Sequence, residues 1–129
     1  MKKKIIIASI LTILAILISI SVYIYQQLNK NLTCTKSYTY ENIKIIETIN
    51  AKFENTNIKE IIGKFEMTFE NQKEANDYYS NYKNKQNLLI FGNKITYSTD
   101  ETKTFKKIDR NRYTLKKNLE SKKLKYDCN

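Results

Sequence analysis

The residues of this chain that could do chemistry are few: two cysteines, a scatter of carboxylates, ten tyrosines and a basic C-terminal stretch. There is no histidine, which removes the commonest general base and every His-dependent triad. With no His and only two Cys, the ligands of a transition-metal centre are missing as well. Glu66 and Glu70 share the predicted outer face of a strand, and Glu74 and Asp77 lie on the helix that follows. Paired carboxylates of this kind are what acid–base hydrolysis of a glycosidic bond requires, so a carboxylate-dependent envelope hydrolase is the alternative reading. Charges at such spacings are more often a solvated face. No Gly-rich phosphate loop or nucleophile elbow occurs, so no catalytic residue is assigned and no cofactor is implied.

Cys34 stands where the polar part of the chain begins and Cys128 is the penultimate residue. Outside the cytoplasm an even cysteine count makes a Cys34–Cys128 disulfide the expectation. Two unpaired thiols, or a bridge between chains, are the alternatives. No C-x-x-C spacing is present to lower a thiol pKa for redox work. In the chain-entropy picture, closing so long a loop contributes about 4 to 5 kcal/mol.

The charge is unevenly placed. Lys, Asn, Ile and Tyr supply 65 of 129 residues, and all four are favoured by AT-rich codons, so the net +10 is a weak pointer to a polyanionic partner. Position says more. Gln26 to Thr102 holds ten Lys against ten acids, whereas Lys103 to Asn129 holds eight Lys and two Arg against three acids. Lys106, Lys107, Arg110, Arg112, Lys116, Lys117, together with Lys122, Lys123 and Lys125, form a candidate patch for anionic lipid head groups or wall polymers. The plainer reading is a solvated helix face in a Lys-rich protein. Tyr38, Tyr40, Tyr97, Tyr113 and Tyr126, if exposed beside Lys or Arg, could stack on sugars or bases. Nucleic acid is not expected as a partner.

These residues need elements to hold them, and the first is hydrophobic. Lys2, Lys3 and Lys4 precede an uncharged run from Ile5 to Tyr25, 21 residues long. As a helix rising about 1.5 Å per residue, that run matches a hydrocarbon core about 30 Å thick, with Tyr23 and Tyr25 at the interfacial aromatic belt. The positive-inside tendency sets residues 1–4 in the cytoplasm and residues 33–129 outside, after a short linker at 26–32. Lys30 and Lys36 weaken that asymmetry. Cleavage after a small-x-small site at Ser19-Ile20-Ser21 would instead give a secreted form, but apolar residues continue to Tyr25. A lipid anchor is disfavoured because Cys34 lies nine positions past Tyr25.

Within 33–129 a polar strand is expected at Thr33 to Tyr40, then a tight turn at Glu41-Asn42. A second strand places Ile43, Ile45, Ile49, Ala51 and Phe53 on one face, with the alternation broken at Ile46 and Glu47 as at a bulge. A third runs from about Ile58 to Phe69 and completes an antiparallel meander. Asn71 caps a helix bearing Ala75, Tyr78, Tyr79 and Tyr82 on its inner face. Leu88 to Phe91 and Lys94 to Thr99 flank Gly92-Asn93 as a hairpin. Asp109 is expected to cap a final helix from about Arg110 to Lys122 with Leu115 and Leu119 inward. The fold class is α+β: a transmembrane helix at 5–25, then a two-layer domain of order βββαββα, both helices on one face of an antiparallel sheet.

The basic-apolar N-terminus, the Leu-Thr-Cys-Thr-Lys start at Leu32 to Lys36, the Asn-x-x-Glu-Ala helix entry at Asn71 to Ala75, and Glu120-Ser121-Lys122 before Cys128 together resemble small anchored proteins and lipoproteins of low-GC Gram-positive bacteria, in the neighbourhood of the YehR-like lipoproteins. The lipidation cysteine expected of the lipoprotein members is missing. The resemblance supplies no catalytic residues. It implies an envelope protein, and the residues imply a non-enzymatic binding or interaction module anchored by residues 5–25, its partner an anionic lipid, a wall polymer or another envelope protein.

Overall fold

The computed structural model describes residues 2–129 and opens with a single long helix, α1 (Lys2–Asn29). From Lys2 to Gln27 none of the span is buried against the rest of the protein. The helix of a soluble core is covered by its own chain; this one is long and apolar enough to cross a membrane and is covered by nothing. Three of its hydroxyls are satisfied within the helix: those of Thr12, Ser19 and Ser21 donate back to the carbonyls of Ala8, Ala15 and Leu17 at 2.9, 2.9 and 2.8 Å. Back-bonding of this kind lets hydroxyl residues sit in hydrocarbon.

Most of the expected linker at 26–32 does not exist as such. α1 continues to Asn29 and β1 (Leu32–Tyr40) begins three residues later, with Leu32 itself fully buried in the core. Only Lys30 and Asn31 separate the two.

After β1 come β2 (Ile43–Glu54), β3 (Asn57–Thr68), α2 (Gln72–Tyr82), β4 (Leu89–Phe91), β5 (Lys94–Asp100), α3 (Thr102–Lys106), α4 (Arg112–Leu119) and β6 (Asp127–Cys128). The six strands form one antiparallel sheet in the order β4-β5-β3-β2-β1-β6. This is the expected α+β class with an N-terminal helix. Two elements were not anticipated, α3 and β6, so the domain reads βββαββααβ. The first two hairpins turn on Glu41-Asn42 and Asn55-Thr56, all four residues at positive φ, the requirement of a two-residue type I′ turn. The third turns on Gly92-Asn93, with only Gly92 at positive φ.

β2 corrects the expected break at Ile46 and Glu47. Its pairing with β3 is continuous from Lys44↔Thr68 to Lys52↔Glu60, and the irregularity falls at Lys52/Phe53, where Lys59 is left over on β3. Alternation is therefore intact, and Glu47 belongs to the inner face with Ile43, Ile45, Ile49, Ala51 and Phe53. An acid is tolerated there because two phenols meet it. The hydroxyls of Tyr38 and Tyr126 donate to its Oε1 and Oε2, each at 2.7 Å. The ammonium of Lys36, directly across the β1–β2 ladder, lies 5.4 and 5.5 Å from the two phenol ring centres.

This polar row divides the inner face into two apolar clusters. On one side α2, through Ala75 with Tyr78 and Tyr79, covers Met67, Phe69 and Ile95. On the other α4, through Leu115 and Leu119, covers Leu32, Ile49, Ala51 and Ile61. A fully buried leucine contributes roughly 2 kcal/mol by area. The expected cap at Asp109 is also corrected: α4 is capped by Asn111, whose side chain accepts the Thr114 N–H at 3.0 Å while Thr114 answers with its hydroxyl. Asp109 is buried and accepts from the Asn118 amide at 3.0 Å. The helix stops at Leu119, short of Lys122.

β6 returns the chain to the outer edge of β1, where Cys34 pairs across the ladder with Cys128 and the sulfurs stand at bonding distance, 2.02 Å. Asn129 closes the edge by donating its N–H to the Thr33 carbonyl and accepting the Thr33 N–H on its side chain.

Two outcomes follow. The Cys34→Ser/Cys128→Ser double variant, denatured by urea in detergent, should lose about 4 to 5 kcal/mol, the closure term for a sequence separation of 94. Burial first and the bond to Glu47 second raise both phenol pKa values, that of Tyr38 up to about 12 from its ordinary 10.0. The folded form thus keeps these protons where the unfolded chain has lost them, so their stabilisation is complete below about pH 10 and is lost as pH climbs through the folded values. Tyr126→Phe should cost about 1 to 2 kcal/mol at neutral pH and flatten the alkaline decline seen in denaturation midpoints.

Candidate anion-binding surface at the end of the hydrophobic helix

α4 owes its position to its leucines. Leu115 and Leu119 face the sheet, so Lys117 is turned away from it together with Tyr113 and Glu120, while Arg112 and Lys116 lie half-buried at the flank. These side chains and Gln27 of α1 line a groove of about 590 Å³. The junction is fixed by Arg112, whose Nε donates to the Lys30 carbonyl at 3.0 Å. α4 therefore starts against the segment where α1 hands over to the sheet.

Within the groove the positive charge is only lightly compensated. Lys116 approaches Glu120 at 3.7 Å, an exposed i, i+4 pair worth a few tenths of a kcal/mol. Lys117 has no ion pair among the described residues. Tyr113 is 70% exposed, an aromatic ring presented to whatever lies beside the end of α1.

The nine basic residues expected to act together do not share one surface. Arg112, Lys116 and Lys117 share the groove just described. Lys106 lines a different one, beside Lys52, Lys59 and Lys103. Lys107 and Arg110 are exposed on the connection between α3 and α4, and Lys122 and Lys123 on the turn after α4. Lys125 is a turn residue with φ +60, its N–H donated to the Ser121 carbonyl at 2.8 Å so that Tyr126 can come inward. What sequence reasoning missed is Gln27, Lys52, Lys59 and Lys103. A signal for Lys52 and Lys59 existed, since they flank the Asn55-Thr56 turn and hairpin closure brings them together.

The tyrosines also divide. Tyr38 and Tyr126 are committed to Glu47, and Tyr97 stacks on Phe65 with ring centres 4.7 Å apart, while Tyr40 and Tyr113 stay exposed. Of the carboxylates, Glu66 pairs with Lys94 at 2.9 Å and Asp77 with Lys73 at 2.9 Å. Glu70 lies beyond the end of β3 and does not share a strand face with Glu66. Among the described residues no three His, Cys, Asp or Glu side chains converge to hold a metal ion.

Comparison with protein-family models, with curated proteins and with solved structures finds no significant match. The reading of this surface therefore rests on its own geometry.

Proposed function

We propose that this is a single-pass envelope protein, N-terminus cytoplasmic and α+β domain outside, which acts as a non-enzymatic binding module for anionic groups at the membrane surface. The observation that carries the reading is the groove that Gln27 shares with Arg112, Lys116 and Lys117. Gln27 follows Tyr25 by two residues, about 3 Å along a helix axis. If the tyrosines mark the interface, the three cations and Tyr113 lie at head-group level, where each cation near an anionic surface gains on the order of 1 kcal/mol. The Cys34–Cys128 bond supports the outward orientation, because such bonds persist in oxidising compartments.

The lack of tryptophan in the chain makes a clean reporter possible. Full-length protein carrying Tyr113→Trp, reconstituted in vesicles, should show stronger quenching by interfacially brominated lipid when phosphatidylglycerol is added to phosphatidylcholine. High salt, or Arg112→Gln, Lys116→Gln and Lys117→Gln together, should remove the difference. Equal quenching in neutral and anionic vesicles would refute the head-group reading. For orientation, an impermeant maleimide added to intact cells should label the cysteines only after reductant. Labelling only after lysis would reverse the orientation, and labelling of intact cells without reductant would keep the orientation but show the thiols to be free.

A further inference from the structure

A second groove, of about 740 Å³, lies near the tip of the β2–β3 hairpin, and four lysines face it: Lys52, Lys59, Lys103 and Lys106. They come from three elements. Lys52 is the last residue of β2 before the ladder slips, and Lys59 is the residue left over by that slip, so the irregularity itself frees its side chain from the regular pairing. Lys103 and Lys106 stand three apart on α3 and so share a face. α3 is held against β3 by Thr102, whose hydroxyl accepts the Ile61 N–H at 2.9 Å and donates to the Ile61 carbonyl at 3.4 Å.

Two acids enter the same groove, and both have partners. Glu60 pairs with Lys52 at 3.2 Å, and Asp100 accepts the Thr102 N–H at 2.9 Å. Counting all six charges, the groove keeps an excess of two positive. Lys59, Lys103 and Lys106 have no ion pair among the described residues. Like charges gathered round one concavity repel unless an anion enters it, and compact ammonium groups bind phosphate as point charges.

We propose that this groove is a phosphate-binding site, sized for a ligand carrying more than one phosphate group, whether a phosphodiester polymer or phospholipid head groups. It is separate from the α4 groove and does not depend on the reading given to that surface.

The test uses full-length protein in nanodiscs and the variant Lys59→Gln/Lys103→Gln, both positions being exposed, with the thermal midpoint as a check that folding is unchanged. In neutral phosphatidylcholine discs, labelled inorganic polyphosphate should bind in a salt-sensitive way, and the double variant should bind about tenfold more weakly. Arg112→Gln/Lys116→Gln/Lys117→Gln should leave this affinity within twofold. In a second arm, a dansyl reporter on Lys106→Cys, the native pair kept oxidised, is followed as phosphatidylglycerol is introduced into the disc. A shift that Lys59→Gln/Lys103→Gln abolishes would support the same chemistry with lipid as its source. If polyphosphate is not bound or is bound equally by the double variant, and the reporter does not respond to anionic lipid, the proposal is overturned.

Discussion

β2 crosses the middle of the six-stranded sheet, and from Ile43 to Phe53 its side chains alternate without a break. That regularity is the constraint on which the rest of the domain turns. A sheet covered on one face must direct every second residue inward, so the residue at position 47 goes in whatever its type. Glu47 is polar on a face that is otherwise largely apolar, and it is only half-buried, so its carboxylate needs hydrogen-bond partners there. Tyr38 from the neighbouring strand and Tyr126 from the C-terminal tail each donate to it at 2.7 Å. The covering layer is consequently not one slab of helices. It splits into an α2 half and an α4 half, with a polar row between.

The tail is where this demand meets the covalent structure. Tyr126 reaches Glu47 only because Lys125 adopts positive φ and reverses the chain after α4, and two residues later Cys128 is bonded to Cys34 on β1. One short segment therefore joins three things that are distant in sequence: the end of α4, the inner carboxylate of β2 and the outer edge of β1. With the tail fixed at both Tyr126 and Cys128, α4 cannot lift from the sheet without breaking the phenol bond. Its polar side then stands as a rigid surface beside the end of α1.

How much of this could be read from residues alone follows from what each signal encodes. The alternating apolar pattern and the turn residues Glu41-Asn42 and Gly92-Asn93 are local, and they specified the meander and the later hairpin correctly. The Asn71 cap and the Ala75, Tyr78 and Tyr79 face were equally local, but Tyr82, expected inward with them, is exposed. Glu47 was misread as a bulge because its compensation comes from Tyr126, 79 residues away, and no local rule anticipates a carboxylate facing inward. Asp109 was misread as a cap because Asp and Asn are interchangeable in that role; burial against Asn118 decided between them. α3 has five residues and no periodic stretch long enough to register. As for the candidate surface, the C-terminal charge excess was visible. Its division was not, because which lysines share a concavity depends on the tip of the β2–β3 hairpin and on the end of α1.

That division has an electrostatic logic. Arg112, Lys116 and Lys117 adjoin the end of α1, while Lys52, Lys59, Lys103 and Lys106 gather near the tip of the β2–β3 hairpin. β1 leaves α1 at Leu32, and β2 runs back antiparallel, so the hairpin tip at Asn55-Thr56 projects past Leu32 toward the helix. The bridge between Asn57 and Asn111 ties that tip to the start of α4. Both cationic grooves thus belong to the same end of the sheet, the end where α1 enters, and Tyr40 and the exposed Phe91 sit at the opposite one. Screening limits an exposed charge to about 8 Å at physiological ionic strength, so lysines dispersed over a domain act singly at a surface. Concentrated at one end, beside the apolar helix, they reinforce one another's positive potential there.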